Sequence, residues 1–210
     1  MKVLLKSVYH IIFPPLSCRL KNALANCDTI LDLGCGPSSL LQYCNVSFSV
    51  GVELFEPYLQ ETRKKGIHSQ YIKADIRRVE FAPKSFDAVI ALDVLEHLTK
   101  EEGTELLGKM EQWSRKKVII FTPNGYIWQG GYDNNPLQQH RSGWTVEELK
   151  KSGFAVFGIN GWKRLRGYKS IIKYKPVFIY SKVSGLTQKI TYRFPQLAFQ
   201  ILAVKTVEEK

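Results

Sequence analysis

The chain has 210 residues, 44% of them apolar and 23% charged, and a formal charge of +11. That length suits one domain with a proper core, and the composition excludes a disordered or fibrous chain. Residues 1–28 carry +3, residues 29–115 carry −3 and residues 116–210 carry +11, so any anionic partner is expected on the C-terminal half.

The first sixteen residues, MKVLLKSVYHIIFPPL, are broken by Lys6 and His10 and ended by Pro14 and Pro15. They fall short of the ~20 apolar residues of a membrane span. Residues 1–28 read as a helical segment packed on the domain, with a surface membrane anchor as the second reading. Cys18, Cys27, Cys35 and Cys44 form no Cys-x-x-Cys pair, and the four histidines are scattered. No metal site is expected from that spacing, and reduced thiols suggest a cytoplasmic protein.

Strands and helices alternate from there. Thr29–Leu33 reads as a strand, residues 38–44 as a short helix and Phe48–Leu54 as a second strand. Glu56–Lys65 has Pro57 early and Gly66 as its stop, which predicts a helix. Gln70–Ala74 and Phe86–Leu92 are the third and fourth strands. Thr99–Trp113 is a helix whose Thr99 and Glu102 have capping-box spacing. Lys117–Phe121 is a fifth strand, Thr145–Lys151 a helix capped by Thr145 and Glu148, and Phe154–Ile159 a sixth strand. Such alternation predicts a parallel sheet covered on both faces, with ligands beyond the C-terminal strand ends.

Those ends carry chemistry. The first strand leads into Asp32-Leu33-Gly34-Cys35-Gly36-Pro37-Ser38, where paired glycines permit a sharp bend and close ligand approach. The second ends in Glu53, which can accept from both hydroxyls of a ribose. The third ends in Ala74-Asp75-Ile76, an acceptor beside an apolar surface. The fourth ends in Leu92-Asp93-Val94-Leu95-Glu96-His97. Together these suit a nucleoside ligand. A nicotinamide Rossmann unit is disfavoured, because the register here is Gly34-x-Gly36-x-x-Ser39 and Asp32 would repel a pyrophosphate.

ILDLGCG, VELF, ADI, SFDAVIALDVLEHL and TPNG, followed by HRSGWT, resemble the successive signatures of class I S-adenosylmethionine-dependent methyltransferases, with a small-molecule, quinone-biosynthesis flavour. The resemblance covers roughly residues 25–160. It implies an α/β, Rossmann-like doubly wound sheet of seven strands whose last strand is antiparallel. It implies S-adenosyl-L-methionine as cofactor, cradled at its methionine end by Asp32, Gly34, Cys35 and Gly36. Glu53 and Leu54 would hold the ribose, Asp75 and Ile76 the adenine, and Leu92 or Asp93 the methionine ammonium. Ser38 stands where many members have a third glycine.

A base is needed only for a protonated acceptor, and His97 and His140 are the candidates. The loop 126–143 is long enough to be a lid, and Tyr126, Trp128, Tyr132 and Trp144 are candidate acceptor contacts. From residue 160 to 193 there are nine basic residues, Arg164 and Arg166 among them, and no acid. Aromatic residues are interleaved. This stretch reads as a basic insertion ahead of a final strand near Leu197–Val204, completing the same domain, with residues 29–159 as the cofactor-binding core. The primary expectation is methyl transfer to a small molecule or an anionic glycan or lipid precursor, with the protein cytoplasmic or peripheral to a membrane. An RNA methyltransferase and a non-catalytic cofactor-binding module are the alternatives. DNA is not expected, since the fourth strand lacks an Asn/Asp-Pro-Pro-aromatic end.

Overall fold

The computed structural model describes residues 14–131, 133–167 and 170–207. Seven strands form one sheet in the order β3-β2-β1-β4-β5-β7-β6. They are β1 (Thr29–Leu33), β2 (Phe48–Val52), β3 (Gln70–Ile72), β4 (Phe86–Leu92), β5 (Ser114–Pro123), β6 (Ala155–Trp162) and β7 (Ala198–Thr206). The pairs from β3 through β5 are parallel, and β7 lies antiparallel between β5 and β6. The fold is Rossmann-like and doubly wound, as the sequence implied. Strand order reverses between β1 and β4, which places the ligand crevice there.

Successive strand residues face opposite layers. Ile30, Ala88, Ile90 and Ile119 join Leu20 of helix α1 (Leu16–Ala23) and Leu24 at its C-cap in one core. Leu31, Val89, Ala91, Val118 and Ile120 join Met110 and Trp113 of helix α3 (Lys100–Trp113) in the other. This two-sided burial explains why β4 and β5 read as unbroken apolar runs. Helix α2 (Glu56–Lys65) ends on Gly66 at φ 62°, and both capping boxes expected for α3 and for helix α4 (Val146–Lys151) are formed. Residues 40–43 wind as a 3₁₀ turn rather than an α-helix, capped by the Ser39 hydroxyl.

The basic insertion is mostly one helix, α5 (Val177–Arg193), laid against β6. β6 runs on to Trp162, past its expected end at 159. An added Cβ at Gly158 would lie 2.0 Å from the carbonyl oxygen of Thr191, and one at Gly161 would lie 2.2 Å from that of Ser184. Only glycines allow so close an approach of helix to strand. The segment before Pro14 lies outside the described residues. Within the expected 1–28 segment, α1 packs on the sheet through Leu20, and its Arg19 sits 3.9 Å over the ring of Tyr192 on α5.

Candidate cofactor site

A cleft opens at the β1–β4 switch point. Its larger lobe, about 340 Å³, is lined by Asp32, Gly34, Cys35, Gly36, Ser38, Ser39, Glu53, Leu92 and Asp93. A smaller lobe of about 160 Å³ is lined by Glu53, Leu54, Asp75, Ile76, Arg77, Asp93 and His97. Gly34, Glu53 and Asp93 border both lobes. The ten residues expected around the cofactor therefore line one continuous cleft.

The bend after β1 is built from backbone. Gly34 and Gly36 have φ of 65° and 57°, in the left-handed region where a Cβ is strained. A Cβ on Gly34 would also stand 2.7 Å from Cγ2 of Val94. Glu53 braces the bend: Oε2 accepts from the Gly36 amide at 3.1 Å and Oε1 from the Phe55 amide at 2.8 Å. Burial pushes its carboxyl up, against those amides. Cys35 contributes its backbone, whose amide donates to Val52 O at 3.1 Å, while its thiol is buried.

Asp32 is buried and accepts from the Ser39 hydroxyl at 2.5 Å. Ser39 Oγ in turn accepts from the Leu41 amide, so Asp32 anchors the far end of the loop to β1. Burial pushes the Asp32 carboxyl up to about 7, the Ser39 hydrogen bond opposing it. Nε2 of buried His68 lies 3.5 Å away, and burial pushes that imidazole down to about 4. A neutral ring therefore backs the carboxyl. Neither Ser39 nor His68 was singled out in the sequence. A serine capping the next turn was a usable signal, whereas nothing local pointed to His68.

Along the smaller lobe a charged chain runs over the rim. Arg77 holds both carboxylate oxygens of Asp75 through Nε and Nη2, and its Nη1 donates to Glu102 at 2.8 Å. Arg141 binds the other Glu102 oxygen at 2.9 Å. The Arg77 hydrogen bond holds Asp75 below the usual carboxylate range. Neither Arg77 nor Arg141 was singled out, although Arg141 stands in the HRSGWT motif. The loop 126–143 supplies a wall of the cleft with Asn135–Gln139, and Asp133 accepts from the Tyr58 hydroxyl of α2 at 3.0 Å.

At the end of β4, Asp93 takes a φ of 53°, an uncommon geometry outside Gly, Asn and Asp. Its amide donates to Phe121 O at 2.8 Å, and its Oδ1 accepts from Gln200 Nε2 at 3.2 Å. Glu96 is buried beside it and accepts from the Thr122 hydroxyl at 3.0 Å. Burial, and the Asp93 charge next to it, push the Glu96 carboxyl well up. His97 and His140 meet edge-on with ring centroids 5.0 Å apart. Burial lowers both, His97 to about 4, so each is neutral near pH 7.

The expected acceptor contacts divide. Tyr126 and Trp128 are exposed on the loop. Trp144 is core instead: it is buried, donates its indole N–H to Leu95 O at 3.3 Å and packs against Gly103. Arg166 turns inward, donating to Ser184 Oγ at 3.1 Å and Ser170 O at 2.8 Å, and so fastens the 163–172 turn to α5. Arg164 stays at the surface near the Trp162 ring. Tyr132 lies outside the described residues.

The cradle fits S-adenosylmethionine on its own chemistry. Gly34 and Gly36 present backbone where a side chain would fill the space, a carboxylate ends β2 at ribose position, and an acid and an apolar residue follow β3. Residues 31–122 match the family model described as a methyltransferase domain. Over 163 residues the chain is 25% identical to sphingolipid C9-methyltransferase A of Emericella nidulans. That alignment takes in 63% of this chain but only 30% of the relative. The fold is similar to a SAM-dependent methyltransferase from Archaeoglobus fulgidus, with TM-score 0.56, 19% identity, and coverage of 96% of this chain and 99% of the other. It is likewise similar to the plantazolicin methyltransferase BpumL in complex with SAH, with TM-score 0.56, 16% identity, and coverage of 99% and 90%. The fold is one shared with S-adenosylmethionine-dependent methyltransferases, and the segment that matches the methyltransferase-domain model carries the strands that form the cleft.

Proposed function

We propose that the protein methylates a lipid-type acceptor while docked on a membrane surface. The observation that carries this reading is that α5 is inside out. Its face toward β6 is polar: Gln188 Oε1 accepts from the Gly161 amide at 2.8 Å, Gln188 Nε2 donates to Gly158 O at 2.8 Å, and Thr187 Oγ1 accepts from the Trp162 amide at 3.0 Å. Its outer face is apolar. Ile179, Val183, Leu186 (65% exposed) and Ile190 (56%) are spaced i, i+4, i+7, i+11, which makes one stripe. Exposed Phe178, Lys182, Lys189 and Arg193 flank it.

An apolar stripe edged by Lys and Arg is the make-up of a helix that lies in a lipid headgroup layer. Anionic lipid adds roughly 1 kcal/mol per nearby cation. Among the described residues no helix is long and apolar enough to cross a membrane. The C-terminal end of α5 is also joined to the loop after β5. Asn124, in the loop after β5, donates its side-chain amide to the carbonyl oxygens of Pro195, Gln196 and Ala198 just beyond α5. Exposed Trp128 and Tyr126 follow on that loop, and Phe194 is exposed at the helix end. Among the acceptors expected from the sequence, a small molecule or an anionic glycan or lipid precursor, the relative named as a sphingolipid methyltransferase supports the lipid.

In this reading Glu53 holds the ribose, Asp75 and Ile76 the adenine, and the Gly34–Gly36 backbone the amino-acid end. The cofactor supplies a methyl group already activated on sulfur, so the residues around it chiefly orient the acceptor and exclude water.

The test is flotation with vesicles of phosphatidylcholine and phosphatidylserine, together with recovery of labelled methyl groups in organic-extractable lipid. The wild-type protein is expected to float and to label lipid. Leu186→Glu with Ile190→Glu should stay in the dense fraction and keep its affinity for S-adenosylmethionine. Equal flotation of both proteins, or no lipid label, would overturn the reading. Retention on RNA that weakens steeply between about 50 and 200 mM salt, without flotation, would put the RNA alternative in its place.

A further inference from the structure

Glu96, His97 and His140 form a cluster that cofactor binding leaves unused. One ligand-type atom from each lies within 4.8 Å of those of the other two. We propose that these three side chains bind a divalent transition-metal cation beside the cleft.

The two imidazoles are set up as ligands by the backbone. Nδ1 of His97 is 3.2 Å from the carbonyl oxygen of Gln139, and Nδ1 of His140 is 2.6 Å from that of Ile127. A carbonyl oxygen only accepts, so each Nδ1 must donate. The lone pair of each neutral ring is then on Nε2. Metal-binding histidines are held in the same way, with the second nitrogen donating to a carbonyl or carboxylate.

Glu96 is fixed just as firmly. Its carboxylate accepts from Thr122 at the end of β5, and its backbone oxygen accepts from the Arg141 and Ser142 amides at 2.8 and 3.1 Å. The loop carrying His140 is thus pinned to the residue next to His97. Without those two amide bonds the histidines would have no reason to meet across 43 positions of sequence, which is why their spacing gave no metal signal.

A second observation points to a cation. Asp93 stands three residues before the buried Glu96, and among the described residues neither forms an ion pair with Lys or Arg. Crowded carboxyl groups without a basic partner favour a positive charge between them and the solvent. Two imidazoles and one carboxylate select Zn²⁺ or Mn²⁺ over Mg²⁺ and Ca²⁺, which prefer all-oxygen sites. Of the three ligands His97 lines the cleft, so the ion would sit at its wall. The ion would bind there whatever the acceptor is, so this inference stands apart from the lipid reading.

The experiment uses the full chain, stripped of metal with a chelator and titrated with Zn²⁺ and Mn²⁺ by calorimetry. One ion per chain is expected. His140→Ala and Glu96→Gln should each weaken it about tenfold or more. Cys18→Ser, at an exposed thiol far from the cluster, should leave it unchanged. Retained S-adenosylmethionine affinity reports that each variant is folded. Electron spin-echo spectra of Mn²⁺ on the wild-type protein supply an independent readout, with coupling to imidazole nitrogen expected. No binding by the wild-type protein, or a bound Mn²⁺ without nitrogen coupling, would overturn the site. So would undiminished affinity in folded His140→Ala and Glu96→Gln.

Discussion

Gly34 shows how one residue type sets a site. Its positive φ of 65° and the 2.7 Å gap a Cβ would leave to Val94 are separate constraints. The first is a property of the backbone and the second of a neighbour, so they can be taken apart. Gly34→Ala is expected to cost about 1–2 kcal/mol from the left-handed conformation alone, plus the clash, and to weaken cofactor binding. Adding Val94→Ala should return the clash part and leave the backbone part. Chemical denaturation of the two variants checks this; full recovery in the double variant would show that φ was never the constraint. At this scale the sequence was readable where chemistry is local. Asp32, Gly34, Gly36 and Glu53 follow strands at fixed offsets. Arg141 and His68 matter through Glu102 and Asp32, more than thirty positions away, and Arg77 joins its neighbour Asp75 to the distant Glu102.

Elements are joined by a few polar anchors, of which Asp87 is the densest. Its Oδ2 accepts from the Asp28 and Thr29 amides at 2.9 and 3.3 Å, and its Oδ1 meets Arg115 at 3.0 Å and Lys116 at 3.2 Å. One carboxylate therefore ties the starts of β1, β4 and β5 together. Burial works against its charge, but those amides and cations win and hold the carboxyl down at about 2. A depressed folded-state value means the stabilisation is present above the unfolded value, near 3.9, and is lost as pH falls toward about 2. Asp87→Asn is expected to cost about 2 kcal/mol at pH 7, with the gap to wild type closing below pH 4. Urea unfolding at pH 7 and pH 3 checks the sign; a gap that widens in acid would contradict it. Element types were legible because strands buried on both faces read as apolar runs and capping boxes mark helix starts. The exceptions have physical causes. The 40–43 turn is too short for an α-helix, and β6 extends past 159 because β7 pairs with it as far as Trp162.

At the scale of the whole molecule, the excess positive charge and the inverted helix occupy the same stretch of chain. The sequence located the charge and could not orient the helix. Reading α5 by its apolar stripe alone would turn that stripe inward. The close approach of Gly158 and Gly161, with Gln188 and Thr187 bonding β6, turns it outward. The same long-range closure brings His140 to His97. In the proposed reading the architecture separates three tasks: the β1–β4 crevice holds the nucleoside, the loop after β5 faces an acceptor, and α5 offers a docking face.

The central claim is that the crevice braced by Glu53 binds S-adenosylmethionine, and calorimetric titration of wild type and Glu53→Ala tests it most directly. One site per chain is expected in the wild type. Loss of the carboxylate should weaken it about tenfold to hundredfold, the worth of hydrogen bonds to a charged group. No binding by the wild-type protein, or equal affinity in a folded Glu53→Ala variant, would contradict the account.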